Sequence, residues 1–328
     1  MSNIEWTEKT WNPITGCDKV SEGCIHCYAE TLANRFWGDR AFGDVQFHAE
    51  RLQQPLKRKK PTMWFVNSMS DLFHESVSFE CIAAIFGVMA VTPHHTYQVL
   101  TKRPQRMLEF FEWLQSTDAD PWTECHFWAL QNDDQAESLH QLDYKGNYPW
   151  PLSNLWLGVT VENQRTADER IPLLLQTPAA VRFLSCEPLL GEIDLTCIES
   201  EAGWVIDCLS GEADNDSFPS LQGAGHARKK FPAIDWVITG GESSAKARAC
   251  DIVWIRSIVE QCREAGVSCF VKQLGHSPVI TTWSEDDGKI IYPYNLSTGK
   301  GNNPDDWPDD LRVREMPAIK GDAPSTVS

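Results

Sequence analysis

Thr62-Met63-Trp64-Phe65-Val66-Asn67-Ser68-Met69-Ser70-Asp71 is a short apolar run that breaks abruptly into polar residues. Met63 to Val66 lacks the polar–apolar alternation of a half-buried strand, so it reads as a strand covered on both faces, the habit of parallel sheets. The same figure recurs along the chain. Tyr97-Gln98-Val99-Leu100 runs into Thr101-Lys102-Arg103, and Leu155-Trp156-Leu157-Gly158-Val159 into Thr160-Val161-Glu162-Asn163. Val181-Arg182-Phe183-Leu184 runs into Ser185-Cys186-Glu187-Pro188, Trp236-Val237-Ile238 into Thr239-Gly240-Gly241-Glu242, and Cys269-Phe270-Val271 into Lys272-Gln273.

Amphipathic stretches at 79–91, 104–114, 165–175 and 252–265 separate these runs. Pro104 suits a first helical turn, and Gly266 suits a helix C-cap. With a first unit near Trp11 to Gly16 followed by a helix near Tyr28, six or seven βα repeats result. Alternating elements imply a parallel sheet with right-handed crossovers. The expected fold is α/β, a partial or complete TIM-type barrel of six to eight βα units, with a doubly wound open sheet as the alternative. The barrel should occupy 1–276, interrupted by insertions at about 115–154 and 196–233 that read as loops or small excursions. Residues 277–319 form an acidic, turn-rich extension with a hairpin at 281–294, and 320–328 read as a disordered tail.

Composition narrows the function. Among 328 residues, 29 basic against 46 acidic give a formal charge of −17, which argues against extended nucleic-acid binding. Lys57-Arg58-Lys59-Lys60 reads as a solvated loop before a strand. No apolar run reaches the ~18 residues of a membrane span, and the N-terminal residues lack the apolar core of a secretory signal, so a cytoplasmic protein is expected. Eleven cysteines without such a signal point away from a disulfide scaffold and towards metal or catalytic use of any tight cluster.

Only one cluster is tight. Cys17, Cys24 and Cys27 lie within eleven residues, spaced C-x6-C-x2-C, in a cluster loop at 17–27 after the first predicted strand. Thiolates suit iron–sulfur clusters, zinc or copper(I). A structural zinc site closes with four ligands, and no fourth cysteine lies nearby. Three protein ligands would leave one iron of a [4Fe–4S] cube open, as a catalytic site requires. Zinc remains the alternative.

The strand ends carry ionisable and amide groups: Asn67, Ser70, Asp71, Lys102, Arg103, Glu162, Asn163, Glu187, Glu242, Lys272 and Gln273. Barrel active sites gather at that rim. One such residue often just caps the next helix. Gly240-Gly241 is compatible either with a tight turn or with close approach of a ligand to the backbone. His74 reads as a local hydrogen-bonding residue.

Thr10-Trp11-Asn12-Pro13-Ile14-Thr15-Gly16-Cys17, Ser21-Glu22-Gly23-Cys24-Ile25-His26-Cys27-Tyr28-Ala29 and Leu100-Thr101-Lys102-Arg103-Pro104 resemble the phage Gp37/Gp68 (DUF5131, three-Cys-motif) family. So do Trp156 to Gln164, Ser185-Cys186-Glu187-Pro188-Leu189, Gly240-Gly241-Glu242-Ser243 and Trp307 to Arg314. That family is similar to radical S-adenosylmethionine (SAM) enzymes, although the first cysteine gap is six residues here and commonly three there.

The resemblance implies a radical-SAM-like barrel in which Cys17, Cys24 and Cys27 hold a [4Fe–4S] cluster and SAM chelates the open iron. Reductive cleavage would then give a 5′-deoxyadenosyl radical. Asn67, Ser70 and Asp71 would meet the SAM amino group, Glu162, Asn163 and Glu187 its ribose or methionine, and Gly240, Gly241 and Glu242 its adenosine. Lys102, Arg103, Lys272 and Gln273 would face a small anionic or nucleotide-like substrate. An external electron donor and a partner protein encoded nearby are also implied. The rival function is a non-catalytic iron–sulfur or zinc protein serving as redox sensor or partner scaffold.

Overall fold

The computed structural model describes residues 4–116, 121–131, 151–215, 227–284, 288–297 and 299–318. The predicted tail at 320–328 lies outside them. Seven principal strands are β1 (Lys9–Trp11), β2 (Met63–Val66), β3 (Thr96–Thr101), β4 (Leu155–Thr160), β5 (Val181–Cys186), β6 (Trp236–Gly240) and β7 (Ser268–Gln273). They form one sheet whose spatial order follows the chain order from β1 to β7. A doubly wound sheet reverses direction at a switch point. Sequential order is the winding of a barrel, and it ends at two edges, so the complete barrel gives way to the partial one.

The chain divides into two compact units, Met1–Val159 with Thr177–Ala180 and Thr160–Gln176 with Val181–Ser328. In the first, β1 pairs with β2, β2 with β3 and β3 with β4, all parallel. Helix α1 spans Tyr28–Phe36, α2 Phe79–Ala90, α3 Pro104–Ser116 and α4 Pro121–Gln131. Ser78 starts α2 by accepting from the Cys81 N–H with its hydroxyl. The described part of the first insertion is α4, whose Cys125 and Ala129 are buried at helical spacing. A side chain in place of Gly87 would strike the Cys125 carbonyl, so glycine lets α2 and α4 approach. The core here is aromatic: Trp11, Phe73, Phe86, Tyr97, Phe110 and Phe111 are fully or almost fully buried.

In the second unit β5 pairs with β6 and β6 with β7, again parallel. Helix α5 (Gln164–Leu174) begins with a capping box between Asn163 and Thr166. Helix α6 (Ile252–Ala265) ends at Gly266, whose φ of 68° is the left-handed C-cap expected of glycine. The second insertion contributes a four-stranded antiparallel sheet, Ile198–Glu199, Val205–Asp207, Glu212–Asp214 and Arg228–Lys230.

The C-terminal extension forms a hairpin, Pro278–Ser284 with Gly288–Pro293, and then returns to β7. The Val271 N–H donates to the Val313 carbonyl (2.8 Å) and the Glu315 N–H to the Cys269 carbonyl (2.9 Å). Residues 313–315 thus occupy backbone groups that an edge strand would leave open.

Candidate functional site

In the first unit the cysteine loop leaves the C-terminal end of β1 and is stitched to the end of β2. Asn12 Oδ1 accepts from Ser68 Oγ (3.2 Å) and the Met69 N–H (3.1 Å). In return Asn67 Oδ1 accepts from the Ile14 N–H (3.2 Å), and Ser70 Oγ donates to the Ile14 carbonyl (3.0 Å). The Gly16 N–H donates to the Met69 carbonyl (3.0 Å). Asn67 has a φ of 60°, a left-handed conformation that asparagine tolerates better than most residues. Gly16, at φ 98°, could carry no Cβ without meeting the Asp44 carbonyl at 2.5 Å. Glycine is therefore what sets the direction in which the chain enters Cys17.

All three cysteines are free and half-buried. Cys24 closes a short helical turn, Glu22–Cys24, and Cys27 is the N-cap of α1 without its sulfur capping a backbone N–H. Arg103 stands over Cys17. It is 6% exposed, with Nη1 3.5 Å from Cys17 Sγ and 3.3 Å from Asp71 Oδ2. Its Nε donates to Glu75 (3.0 and 3.2 Å), and Nη2 to the Asp18 carbonyl (3.3 Å).

Asp71 has no room for further partners. Its Oδ1 accepts from Thr101 Oγ1 (2.7 Å) and the Phe73 N–H (3.0 Å), and its Oδ2 from the Lys102 N–H (3.0 Å) and Arg103. Burial opposes the charge of Arg103, but Asp71, Cys17 and Glu75 outweigh it and hold the guanidinium firmly protonated. Burial and then Asp71 push the Cys17 thiol up to about 11, against the opposing pull of Arg103. Metal binding would have to displace that proton. His74 Nδ1 accepts from the Ser76 N–H (3.1 Å), which leaves Nε2 to donate to Asp18 (3.2 Å).

The structure thus gathers Cys17, Asn67, Ser70, Asp71, Lys102 and Arg103 around one loop base. Arg103, expected to face substrate, has its donors on Asp71, Glu75, the Asp18 carbonyl and Cys17. Asp71 and Ser70 are engaged by the protein itself. Asn67 differs from them: its side-chain Nδ2 is buried without a hydrogen-bond partner, 3% of the residue being exposed.

In the second unit the strand-end carboxylates close on neighbouring cations. Glu162 Oε2 meets Arg170 Nη1 at 3.0 Å, both residues being buried, and that nitrogen also donates to the Thr160 carbonyl (2.6 Å). Glu187 pairs with Lys272 at 3.2 Å. Glu242 accepts from Arg248 at three donors, including its backbone N–H at 2.8 Å. Asn163 is spent on its helix cap.

Gly240 and Gly241 are required by close packing on neighbouring backbone. A Cβ on Gly240 would sit 2.7 Å from the Gln273 carbonyl, and one on Gly241 2.5 Å from that of Leu274. Gln273 Nε2 donates to the Gly241 carbonyl at 2.7 Å. The sequence reading did not single out Arg170, Arg248, Glu75 or Asn12. Arg170 lies eight residues beyond Glu162 and Arg248 six residues beyond Glu242, so a search for nearby countercharges would have found both.

The first-unit donors are three free, half-buried thiols on one loop, a donor type that an iron–sulfur cluster takes, and beside them the buried Asn67 Nδ2 lacks an acceptor. Among the described residues no three His, Cys, Asp or Glu side chains converge to hold a metal ion. A cube takes each thiolate on a different iron, so convergence on one point is not what it requires.

The description "Protein of unknown function (DUF5131)" belongs to the family that matches residues 1–293. The chain is a member of the DUF5131 family. The DUF5131 match covers both insertions, the cysteine loop and every strand-end residue above, but stops before Trp307 to Arg314. No curated protein and no solved structure matches the chain. Among the described residues no helix is long and apolar enough to cross a membrane.

Proposed function

We propose that this DUF5131 chain is an iron–sulfur enzyme of radical SAM type, akin to the phage Gp37/Gp68 proteins, acting on a small anionic or nucleotide-like substrate. The observation that carries the proposal is the anchored cysteine loop: three free thiols, fixed at its base to the end of β2, with the Arg103 guanidinium against one of them.

When bound, the cluster on Cys17, Cys24 and Cys27 supplies one electron for reductive cleavage of SAM. The chain's own residues do the rest. Arg103, held by Asp71 and Glu75, offers positive charge to the Cys17 sulfur and favours its deprotonation, which ligation needs. Gly16 and Asn67 set the backbone that delivers Cys17. The unpaired Asn67 Nδ2 is a donor that a ligand carboxylate at this loop base could accept from. Lys102 in the first unit is a half-buried charge suited to substrate contact. In the second unit Lys272 pairs with Glu187, and Glu162, Asn163 and Glu242 are likewise engaged by neighbouring protein groups.

Anaerobic reconstitution with iron and sulfide tests the proposal. A brown protein absorbing in the iron–sulfur charge-transfer region, which releases 5′-deoxyadenosine from SAM under a strong reductant, is the expected result. A colourless, zinc-loaded protein indifferent to SAM would sink it and favour the sensor or scaffold.

A further inference from the structure

Lys57-Arg58-Lys59-Lys60, a solvated loop by its sequence, acquires a setting in the fold. It lies between a short helix, Gln53–Leu56, and the start of β2, at the end of the sheet opposite the cysteine loop. With 46 acidic residues among 328, about one residue in seven is acidic, yet none falls in 51–70 or in 81–108. The fold brings those two stretches together: β2 pairs with β3, and the Thr96 N–H donates to the Thr62 carbonyl (3.1 Å). Lys57, Lys59 and Lys60 are exposed, and among the described residues no carboxylate pairs with them. Glu8, at the same end of the sheet, accepts from the Met63 N–H at 2.8 Å.

The loop is held from within. His95 is buried, and its Nε2 donates to the Pro55 carbonyl (3.0 Å). His94 lies against it with ring centres 4.0 Å apart and donates from Nε2 to the Arg58 carbonyl (3.1 Å). Arg58 Nε donates to Thr62 Oγ1, which donates to the Lys60 carbonyl (2.9 Å). The carbonyls of residues 55, 58, 60 and 62 are thus all engaged. Adjacent cations repel, and a loose loop would spread them apart. This one keeps them together.

The surroundings say what such a patch suits. At physiological salt, charges more than about 8 Å away are largely screened, so the −17 of the whole chain acts weakly on a ligand seated here. Lysine is a compact point charge that suits phosphate oxygens. Among the described residues, the exposed large apolar side chains include none from 37 to 126, so neither stretch offers a ring on which an unpaired base could stack. Exposed rather than enclosed lysines fit an extended backbone better than a small anion, which needs a concave pocket.

We propose that Lys57, Lys59 and Lys60, with Arg58 beside them, form a contact site for the phosphate backbone of double-stranded nucleic acid, without base readout. The site belongs to the first unit alone and stands whether or not Cys17, Cys24 and Cys27 hold a cluster. Neutralising about three phosphates gives a weak, salt-sensitive complex that is indifferent to sequence.

The test is fluorescence anisotropy of labelled DNA duplexes of about 20 base pairs, in two unrelated sequences, with the full chain at about 50 to 200 mM salt. Lys57→Ser/Lys59→Ser/Lys60→Ser removes the charges at exposed positions, and Lys57→Arg/Lys59→Arg/Lys60→Arg keeps them; thermal melts verify that both variants fold. Wild type and the Arg variant should bind both sequences equally, with log K falling against log salt at a slope of about −3. The Ser variant should bind at least about tenfold more weakly, with a much shallower slope.

Unchanged affinity in the Ser variant, or no binding by wild type at the lowest salt, overturns the site. Polyglutamate bound as tightly, and lost with the same three lysines, overturns it in favour of an acidic protein. Tripolyphosphate that displaces the duplex at equal phosphate concentration overturns it in favour of a small anion.

Discussion

The strand ends of the two units carry the same kinds of residues and use them differently. In the second unit each carboxylate is answered by a cation of its own: Glu162 by Arg170, Glu187 by Lys272, Glu242 by Arg248. In the first, Asp71 joins Thr101, the Lys102 backbone and Arg103, and Arg103 passes the connection on to Glu75, Asp18 and Cys17. Such pairs cancel charge. A network that runs through a buried guanidinium to a thiol couples a strand end to the candidate metal loop, which is why the first unit carries the functional proposal.

The largest expected effect comes from breaking that network. Asp71→Ala strands Arg103 and leaves three other donors without their acceptor, and should cost about 4 kcal/mol in urea unfolding. Glu162→Ala strands the buried Arg170 and should cost about 3 kcal/mol. The two are separated by iron content after reconstitution, which should fall for Asp71→Ala and hold for Glu162→Ala. Equal iron loss in both would erase the distinction between the units.

Gly16→Ala forces a side chain into left-handed backbone and against the Asp44 carbonyl. A loss of about 2 kcal/mol is expected, with iron uptake reduced as well. Arg248→Ala removes a cation that is partly exposed, so about 1 kcal/mol or less should go, without effect on iron. The smallest intervention is chemical. With its thiol pushed up to about 11, Cys17 of the cluster-free protein should alkylate roughly a hundredfold more slowly at pH 8 than a free cysteine, accelerating as pH rises towards that value. Peptide mapping after timed iodoacetamide treatment measures this. A fast-reacting Cys17 would mean that Arg103, and not burial with Asp71, dominates its environment.

Much of the fold was legible because buried parallel strands and amphipathic helices write themselves into local periodicity. The run at 62–66 became β2, and 97–100, 155–159, 181–184, 236–238 and 269–271 each lie within an observed strand. Pro104 and Gly266 marked helix ends through backbone restrictions that need no tertiary context. The helix at Pro121–Gln131 was not anticipated. Its apolar pattern is short, and what secures it is burial of Cys125 and Ala129 with close approach to Gly87, a partner thirty-odd positions away.

The site divided the same way. Three cysteines in eleven residues announce themselves as a cluster of soft donors wherever the loop lies. Whether an acidic or basic residue at a strand end faces a ligand or a neighbour depends on which side chains the fold brings within about 3 Å, and spacing carries little of that.

Local sequence therefore determined the βα rhythm, the glycine and proline punctuation and the triad of thiols, because each rests on dihedral preference, periodic burial or proximity along the chain. Tertiary structure alone decided that the strands follow one another in sequential order to two edges, with residues 313–315 covering β7. It also decided that Gly240 and Gly241 lie against the backbone of Gln273 and Leu274, and that Arg103 reaches Cys17 from 86 residues away. Hydrogen bonds and ion pairs act over a few ångströms, and only the folded chain sets which groups come that close.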